Sequence, residues 1–238
     1  MSSRLPDTEL CNLAFLPPEE KQRHLIAFEK PKQIKGTYQP FRKVFPDAIN
    51  LQFPLFGSTL QLANLEAIKA RLALECRGSE AVLSMNVAIA EATFAYAIQH
   101  GIEATQIDVV SLGFSGIANH EFGLNLLIRY RDHAAIVFLD LRRTNGLSHS
   151  GRQFMFSALH QRFRIAYPDL SAAQLEIWCY RNNKDRTLVC INEPSTYFDF
   201  ADMEVDVAET YAIWNAIKIA EEPKRRASGN GRPTPFGF

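Results

Sequence analysis

Apolar and polar positions keep clear periods through residues 106–192, and the rest of the chain is arranged around that stretch. In EFGLNLLIRYR, Phe122, Leu124, Leu126, Ile128 and Tyr130 alternate with Glu121, Asn125, Arg129 and Arg131, the period-two pattern of a half-buried strand. IDVVSLGFSG before it reads as another strand. AAIVFLDLRRT after it is apolar from Ala134 except for Asp140, which suits a central strand. Arg131-Asp132-His133 is a polar turn, so these last two strands are expected to form an antiparallel hairpin. Helical spacing follows: Met155, Leu159, Phe163 and Ala166 form one stripe, which Tyr167-Pro168-Asp169 ends. Residues 175–180 and 187–191 make a second hairpin about the polar turn 182–185.

Before this block the pattern predicts a helical layer. Ser58 and Gln61 have capping-box spacing, with Leu62, Leu65, Ile68 or Lys69, and Leu72 continuing at helical intervals and Gly78 as a stop. A second helix over 80–100 ends at Gly101. After the block, a helix over 202–221 has Asp202 as its cap and Val207, Tyr211, Trp214 and Ile217 as its apolar stripe. Residues 1–57 carry seven prolines and read as an extended basic arm with short elements, one of them a helix from Pro18 to Glu29. Residues 223–238 are rich in Gly, Pro and basic side chains and are expected to be a disordered tail. The expected fold is α+β or α/β. A mixed, mainly antiparallel sheet of about five strands is flanked by helices in a single main domain over residues 58–222.

At 47% hydrophobic residues the chain can bury such a core. Twenty-six basic and twenty-six acidic residues cancel, so only their distribution carries information. Seven arginines between positions 129 and 164 face only Asp132 and Asp140, whereas residues 193–222 hold eight acids against Lys218. The chain is electrically divided. Cys11, Cys76, Cys179 and Cys190 lack metal-ligand spacing and read as reduced thiols, with Cys179 and Cys190 placed as near neighbours across the second hairpin. No apolar run approaches the roughly 18 to 20 residues of a membrane helix, and no leader pattern opens the chain, so a soluble cytoplasmic protein without membrane contact is expected.

Two features could carry chemistry. The loop RRTNGLSHSGR leads into a helix whose N-terminal N–H groups, beside Arg142, Arg143 and Arg152, suit an anion, and His160 and Arg164 fall near the same side. Asp140 and Arg142, two apart on a strand, share a face. The order helix, three strands, helix, strand over about residues 80–191, with this acid-x-basic pair, resembles the core of the restriction-endonuclease-like PD-(D/E)xK nucleases. That resemblance implies Glu121 and Asp140 as ligands of a catalytic Mg²⁺ and Arg142 in the place of the family's lysine. The chain departs from the pattern: no Pro-Asp precedes the strand, and a guanidinium is a poor substitute for a lysine that positions water. The competing reading of Asp140 is a carboxylate paired with Arg142, Arg143 or a backbone amide.

The function expected from these features is non-catalytic binding of DNA or RNA through Arg142, Arg143, Arg152, His160 and Arg164, with no cofactor. Two alternatives stand beside it. One is an interaction or scaffold subunit that docks on proteins through the acidic helix 203–221 or the terminal extensions. The other is a metal-dependent nuclease using Glu121, Asp140 and Arg142, with an enzyme acting on a small anion at the arginine loop as a further variant.

Overall fold

The computed structural model describes residues 4–30, 37–52, 64–114, 116–144 and 146–229. Three helices open the chain: α1 (Asp7–Leu13), α2 (Pro18–Glu29) and α3 (Gln39–Ala48). They are followed by a two-residue strand, β1 (Leu51–Gln52), and by α4 (Leu65–Glu75) and α5 (Glu80–His100). Next come β2 (Glu103–Gln106), a small hairpin of β3 (Leu112–Phe114) and β4 (Ala118–His120), and then β5 (Leu126–Arg129) and β6 (Ala134–Asp140). A helix, α6 (His149–Leu159), continues into a π-helical turn (His160–Ile165). β7 (Gln174–Tyr180), β8 (Leu188–Asn192) and α7 (Phe200–Gly229) complete the chain.

The main sheet has the order β1-β2-β5-β6-β7-β8. Its β2–β5, β5–β6 and β7–β8 pairs are antiparallel and its β1–β2 and β6–β7 pairs parallel, so the sheet is mixed and mainly antiparallel. Alternation along the central strands sends side chains into two separate cores. Ile136, Phe138, Leu175 and Ile177 meet side chains of α1, α2, α6 and α7. Val137, Leu139, Trp178 and Tyr180 meet α3, α4 and α5 on the other face. β6 is covered on both sides, which is why its sequence is almost uninterruptedly apolar.

The hairpins and α5 stand where the pattern puts them, and Gly101 ends α5 in the left-handed conformation with φ 63°. Gly123 explains why the expected long strand from Glu121 is short. Its φ of 80° turns the chain so that Phe122 joins one core and Leu124 the other. A Cβ there would lie 2.6 Å from Leu159 Cδ2 and would be strained at this φ, so glycine is favoured where the chain passes α6 before β5. The expected strand 107–116 contributes only β3, and β4 was not anticipated. Register also settles the cysteines. Cys190 pairs directly with Trp178, one residue from Cys179, so the two thiols point to opposite faces of the sheet.

The N-terminal residues are helical layers of the domain and not an arm laid outside it. Phe41 and Phe45 of α3 are buried against α5 and the sheet. Asn86 of α5 is buried; it accepts from the Phe41 N–H at 2.9 Å and donates to Thr37 O. α5 is long and apolar enough to cross a membrane by length and composition. In the fold it turns Ile89, Ala90, Thr93 and Ala97 into the core, with the Thr93 hydroxyl on Tyr180 OH at 2.8 Å. The expected cap at Ser58 and Gln61 lies outside the described residues. α4 begins at Leu65, with Asn64 Oδ1 accepting from the Ala67 N–H. Asp199, not Asp202, accepts from the first turn of α7, and that helix continues past Pro223 to Gly229, into the segment expected to be a tail.

α2 is held to α7 by charge as well as by apolar packing. Lys21 is completely buried, and its Nζ donates to Asp206 Oδ1 and to Glu209 Oε2, each at 2.6 Å. Asp206 Oδ1 also accepts the Phe15 N–H at 2.9 Å. Removing one partner of a buried pair strands the other charge. Lys21→Met is therefore expected to cost about 3 kcal/mol in urea unfolding. Glu209→Gln, at a half-exposed carboxylate, should cost about 1 kcal/mol or less. Equal losses for the two variants would contradict this division.

Candidate functional site

The loop after β6 is organised by Asp140. Its carboxylate is 4% exposed and accepts from Leu147 N at 3.0 Å, from Arg142 N at 3.2 Å and from Arg142 Nε at 3.0 Å. An acid and an arginine two residues apart at a strand end thus close on each other and on the turn between β6 and α6. Arg142 Nη1 reaches on to Glu9 of α1 at 3.6 Å. Glu121 lies exposed in the loop after β4, where its charge acts on Arg162. No group of three or more His, Cys, Asp or Glu side chains with metal-binding geometry occurs among the described residues. Asp140 holds a loop here.

The arginines do not share one exposed face either. Arg143 is exposed, with its Nε on Asn182 Oδ1 at 2.6 Å, and Arg152 is exposed in the first turn of α6. Arg164 turns inward and pairs with both oxygens of Glu193 at 2.7 Å while donating to Ala173 O and Tyr197 OH. His160 stacks on Tyr197 with ring centroids 4.4 Å apart, and burial lowers its imidazole pKa, followed by the charge of Arg164. The reason is the π-helical turn. Its wider winding shifts the register after Leu159, so Ala166, expected in the buried stripe, is exposed, while Arg162, on the same face as Met155 and Leu159, is buried and donates to Val110 O, Phe122 O and Asn125 Oδ1. A strictly helical wheel places Ala166 on the wrong side.

Two further polar clusters are structural. His120 is buried, with Nδ1 on Asp7 Oδ1 at 2.7 Å and Nε2 on Tyr211 OH at 3.0 Å, so it ties β4 to α1 and α7. Burial pushes the Asp7 carboxyl up, but hydrogen bonds from His120 and Arg4 outweigh it and leave the pKa below its ordinary value. Glu193 behaves alike: burial raises it, and hydrogen bonds from Arg164 and Tyr197 bring it lower. Beside Glu193, burial and the carboxylate push the Tyr197 phenol up to about 12. What remains open is a polar cleft of about 420 Å³ among Arg42, Arg142, Arg143, Thr37 and Asp140. This is the anion-facing end of the sheet, with much of its charge already matched internally.

A family model described as the sliding clamp-binding bacterial toxin SocB matches residues 8–226. The chain belongs to this family. A curated relative, the DNA replication inhibitor toxin SocB of Caulobacter vibrioides (strain NA1000 / CB15N), is 26% identical over 231 residues, covering 96% of this chain and 95% of that protein. No solved structure matches. Membership of the SocB family overturns the resemblance to restriction-endonuclease-like nucleases, since its model covers the whole span on which that resemblance rested. It also overturns nucleic-acid binding as the main function. The partner named in the family's description is a protein, and the inward-turned Arg164 and His160 dissolve the arginine face.

Because Asp7 and Glu193 have folded pKa values below their unfolded ones, about 4 for ordinary carboxyls, their contribution to stability is complete above that range. It is lost as pH falls through the folded values. Unfolding free energy is expected to decline below about pH 4, and Arg164→Met should cost about 2 kcal/mol at neutral pH by removing charge-assisted hydrogen bonds. Its deficit should shrink in acid, where Glu193 is protonated in both states. Urea unfolding between pH 2.5 and 7 measures both, and a constant deficit would contradict the assignment.

Proposed function

We propose that this chain is a bacterial toxin that binds the sliding clamp and thereby inhibits DNA replication, acting inside the cell where that target is found. The observation that carries the reading is the family match over residues 8–226, supported by a relative that carries the name of a replication inhibitor over nearly its full length. A protein that occupies a surface other factors need excludes them by mass action, so inhibition of this kind requires affinity and no catalysis.

The clamp-contacting element we favour is the sequence Gln52-Phe53-Pro54-Leu55-Phe56, which begins at the last residue of β1. Residues 53–63 lie outside the described structure, and the case for them is compositional. Interfaces draw most of their binding energy from a few aromatic and aliphatic anchors, and this run places two phenylalanines, a leucine and a proline side by side behind one amide side chain. Proline limits the conformations available to such a segment before it binds, which lowers the entropy lost on docking. By contrast, the large apolar side chains most exposed among the described residues, Leu74, Val205, Ile219, Val110 and Ile165, are spread over α4, α7, the loop after β2 and the π-helical turn. Single exposed residues of this kind are ordinary surface.

The test is direct binding of the purified full chain to an immobilised bacterial sliding clamp. Saturable binding is expected, with Leu55→Ala/Phe56→Ala weakening it roughly thirtyfold or more, the effect of losing one or two hot-spot anchors. Failure of the wild-type chain to bind would overturn the clamp reading. Binding that the double variant leaves unchanged would overturn the choice of segment alone.

A further inference from the structure

The polar cleft at the end of β6 holds more positive charge than the fold itself matches. It lies between the first turn of α3, the start of α1 and residues 139–144, and its volume is about 420 Å³. Of the arginines that line it, Arg142 is answered: Asp140 accepts from its Nε at 3.0 Å, and Glu9 lies 3.6 Å from its Nη1. Asp7, on the same helix as Glu9, is taken by Arg4 and His120. Arg42 and Arg143 are exposed and make no ion pair among the described residues, where the paired arginines are Arg4, Arg71, Arg142 and Arg164. Arg143 spends its Nε on the neutral amide of Asn182. Loss of solvation lowers the Arg42 pKa from its ordinary value, and the more distant charges of Asp140 and Asp7 offset this in part.

A further guanidinium stands behind the wall. Arg186, in the β7–β8 turn, is 5% exposed, and its Nη2 donates to Leu141 O at 3.3 Å. Its Nε and Nη1 are buried without a hydrogen-bond partner, and its Cζ lies 6.0 Å from the centre of the Tyr38 ring. Leu141 and Tyr38 both line the cleft, so this charge lies directly behind it. A buried guanidinium with idle N–H groups is costly unless negative charge stands near, and no ion pair of the described residues supplies it. Arg186 also holds a φ of 47°, in the left-handed region that side chains rarely adopt, so strain is added to the unmatched charge.

The donors select the anion. Arg42 comes from α3 and Arg143 from the loop after β6, so they reach the cleft from different elements. Thr37 Oγ1 accepts the Gln39 N–H, which leaves its O–H to donate. Donors on several sides suit a tetrahedral oxyanion better than a planar carboxylate, and the unpaired positive charges suit a dianion. The first-turn amides of α3 add no donors, since Gln39 N is on Thr37 and Phe41 N on Asn86, but the helix end adds a favourable field.

We infer that this cleft binds a phosphate group, held by Arg42, Arg143 and Thr37 and favoured by the charge of Arg186 behind Leu141 and Tyr38. A volume of this size accommodates a small organic molecule, so the group can be inorganic phosphate or the phosphate of a small monoester such as a nucleotide. The site goes beyond the clamp reading and does not depend on it.

Isothermal titration calorimetry of the full chain at constant ionic strength, without the clamp, tests the site. The titrants are sodium phosphate, adenosine monophosphate, adenosine and sodium acetate. Saturable binding of a phosphate titrant is expected, with adenosine and acetate roughly tenfold weaker or more. Tighter binding of the monophosphate identifies an ester as the source, and equal or tighter binding of inorganic phosphate identifies the free ion. Arg42→Gln and Arg143→Gln, at exposed positions without ion pairs, should each weaken binding roughly tenfold or more, the loss of one charge-assisted contact. Arg186→Leu should weaken it several-fold, and Arg129→Gln, on β5 outside the cleft, should leave it unchanged. If Arg186→Leu does not fold, the two exposed variants still decide. No saturable binding of either phosphate, equal affinity for adenosine and its monophosphate, or the same loss for Arg129→Gln as for Arg42→Gln would overturn the site. Because the clamp is absent from the titration, such a result leaves the clamp reading standing.

Discussion

Asp206 is the point on which the packing of the first two helices depends. One carboxylate oxygen accepts both the ammonium of Lys21 and the amide of Phe15, so a single side chain of α7 fixes the end of α1, the link to α2 and the start of α2 itself. Lys21 is fully buried, so without it Asp206 loses its charge partner in a low-dielectric interior, whereas without Asp206 the ammonium keeps only the half-exposed Glu209. Around it the apolar stripe of α7, Val207, Tyr211 and Trp214, closes over Leu25 and Phe28. His120 adds a second tie, joining Asp7 and Tyr211 across the same seam. The proline-rich start of the chain is thereby a wall of the domain.

The same logic explains the arginine-rich half. A run of like charges suggests a surface offered to phosphates, yet a folded chain can match those charges with groups distant in sequence. Arg164 finds Glu193, 29 residues on, and Arg162 finds backbone carbonyls 40 and 52 residues back. Asp140 and Arg142 answer each other locally and brace the loop that starts α6. Spacing alone does not separate an acid-x-basic pair that grips a metal from one that grips itself. In this chain the pair grips itself, and the family to which the chain belongs is described by a protein partner.

Much of the fold was legible because it rests on local periods. The bounds of α5, the β5–β6 and β7–β8 hairpins, the buried central strand and the stripe of α7 all follow from alternation or helical spacing. What was not legible has a physical reason in each case. The π-helical turn after Leu159 moves Ala166 out of the buried stripe without any change in composition that would announce it. The positive φ at Gly123 switches Phe122 and Leu124 between cores, though their alternation looks unbroken. The pairing of Lys21 with Asp206 spans 185 residues, beyond the reach of any local pattern. Of the candidate site, charge stands out in the sequence, whereas the run Phe53-Pro54-Leu55-Phe56 has no period and does not stand apart from the prolines around it.

The central proposal is that this molecule docks on a protein partner through the segment 52–56, while Arg162 and Arg164 hold its own fold. Hydrogen exchange of the full chain, alone and saturated with a bacterial sliding clamp, tests it most directly. New protection confined to peptides covering residues 51–63, with residues 142–164 unchanged, is the result expected. Protection centred on residues 142–164, with 51–63 exchanging as before, would contradict it.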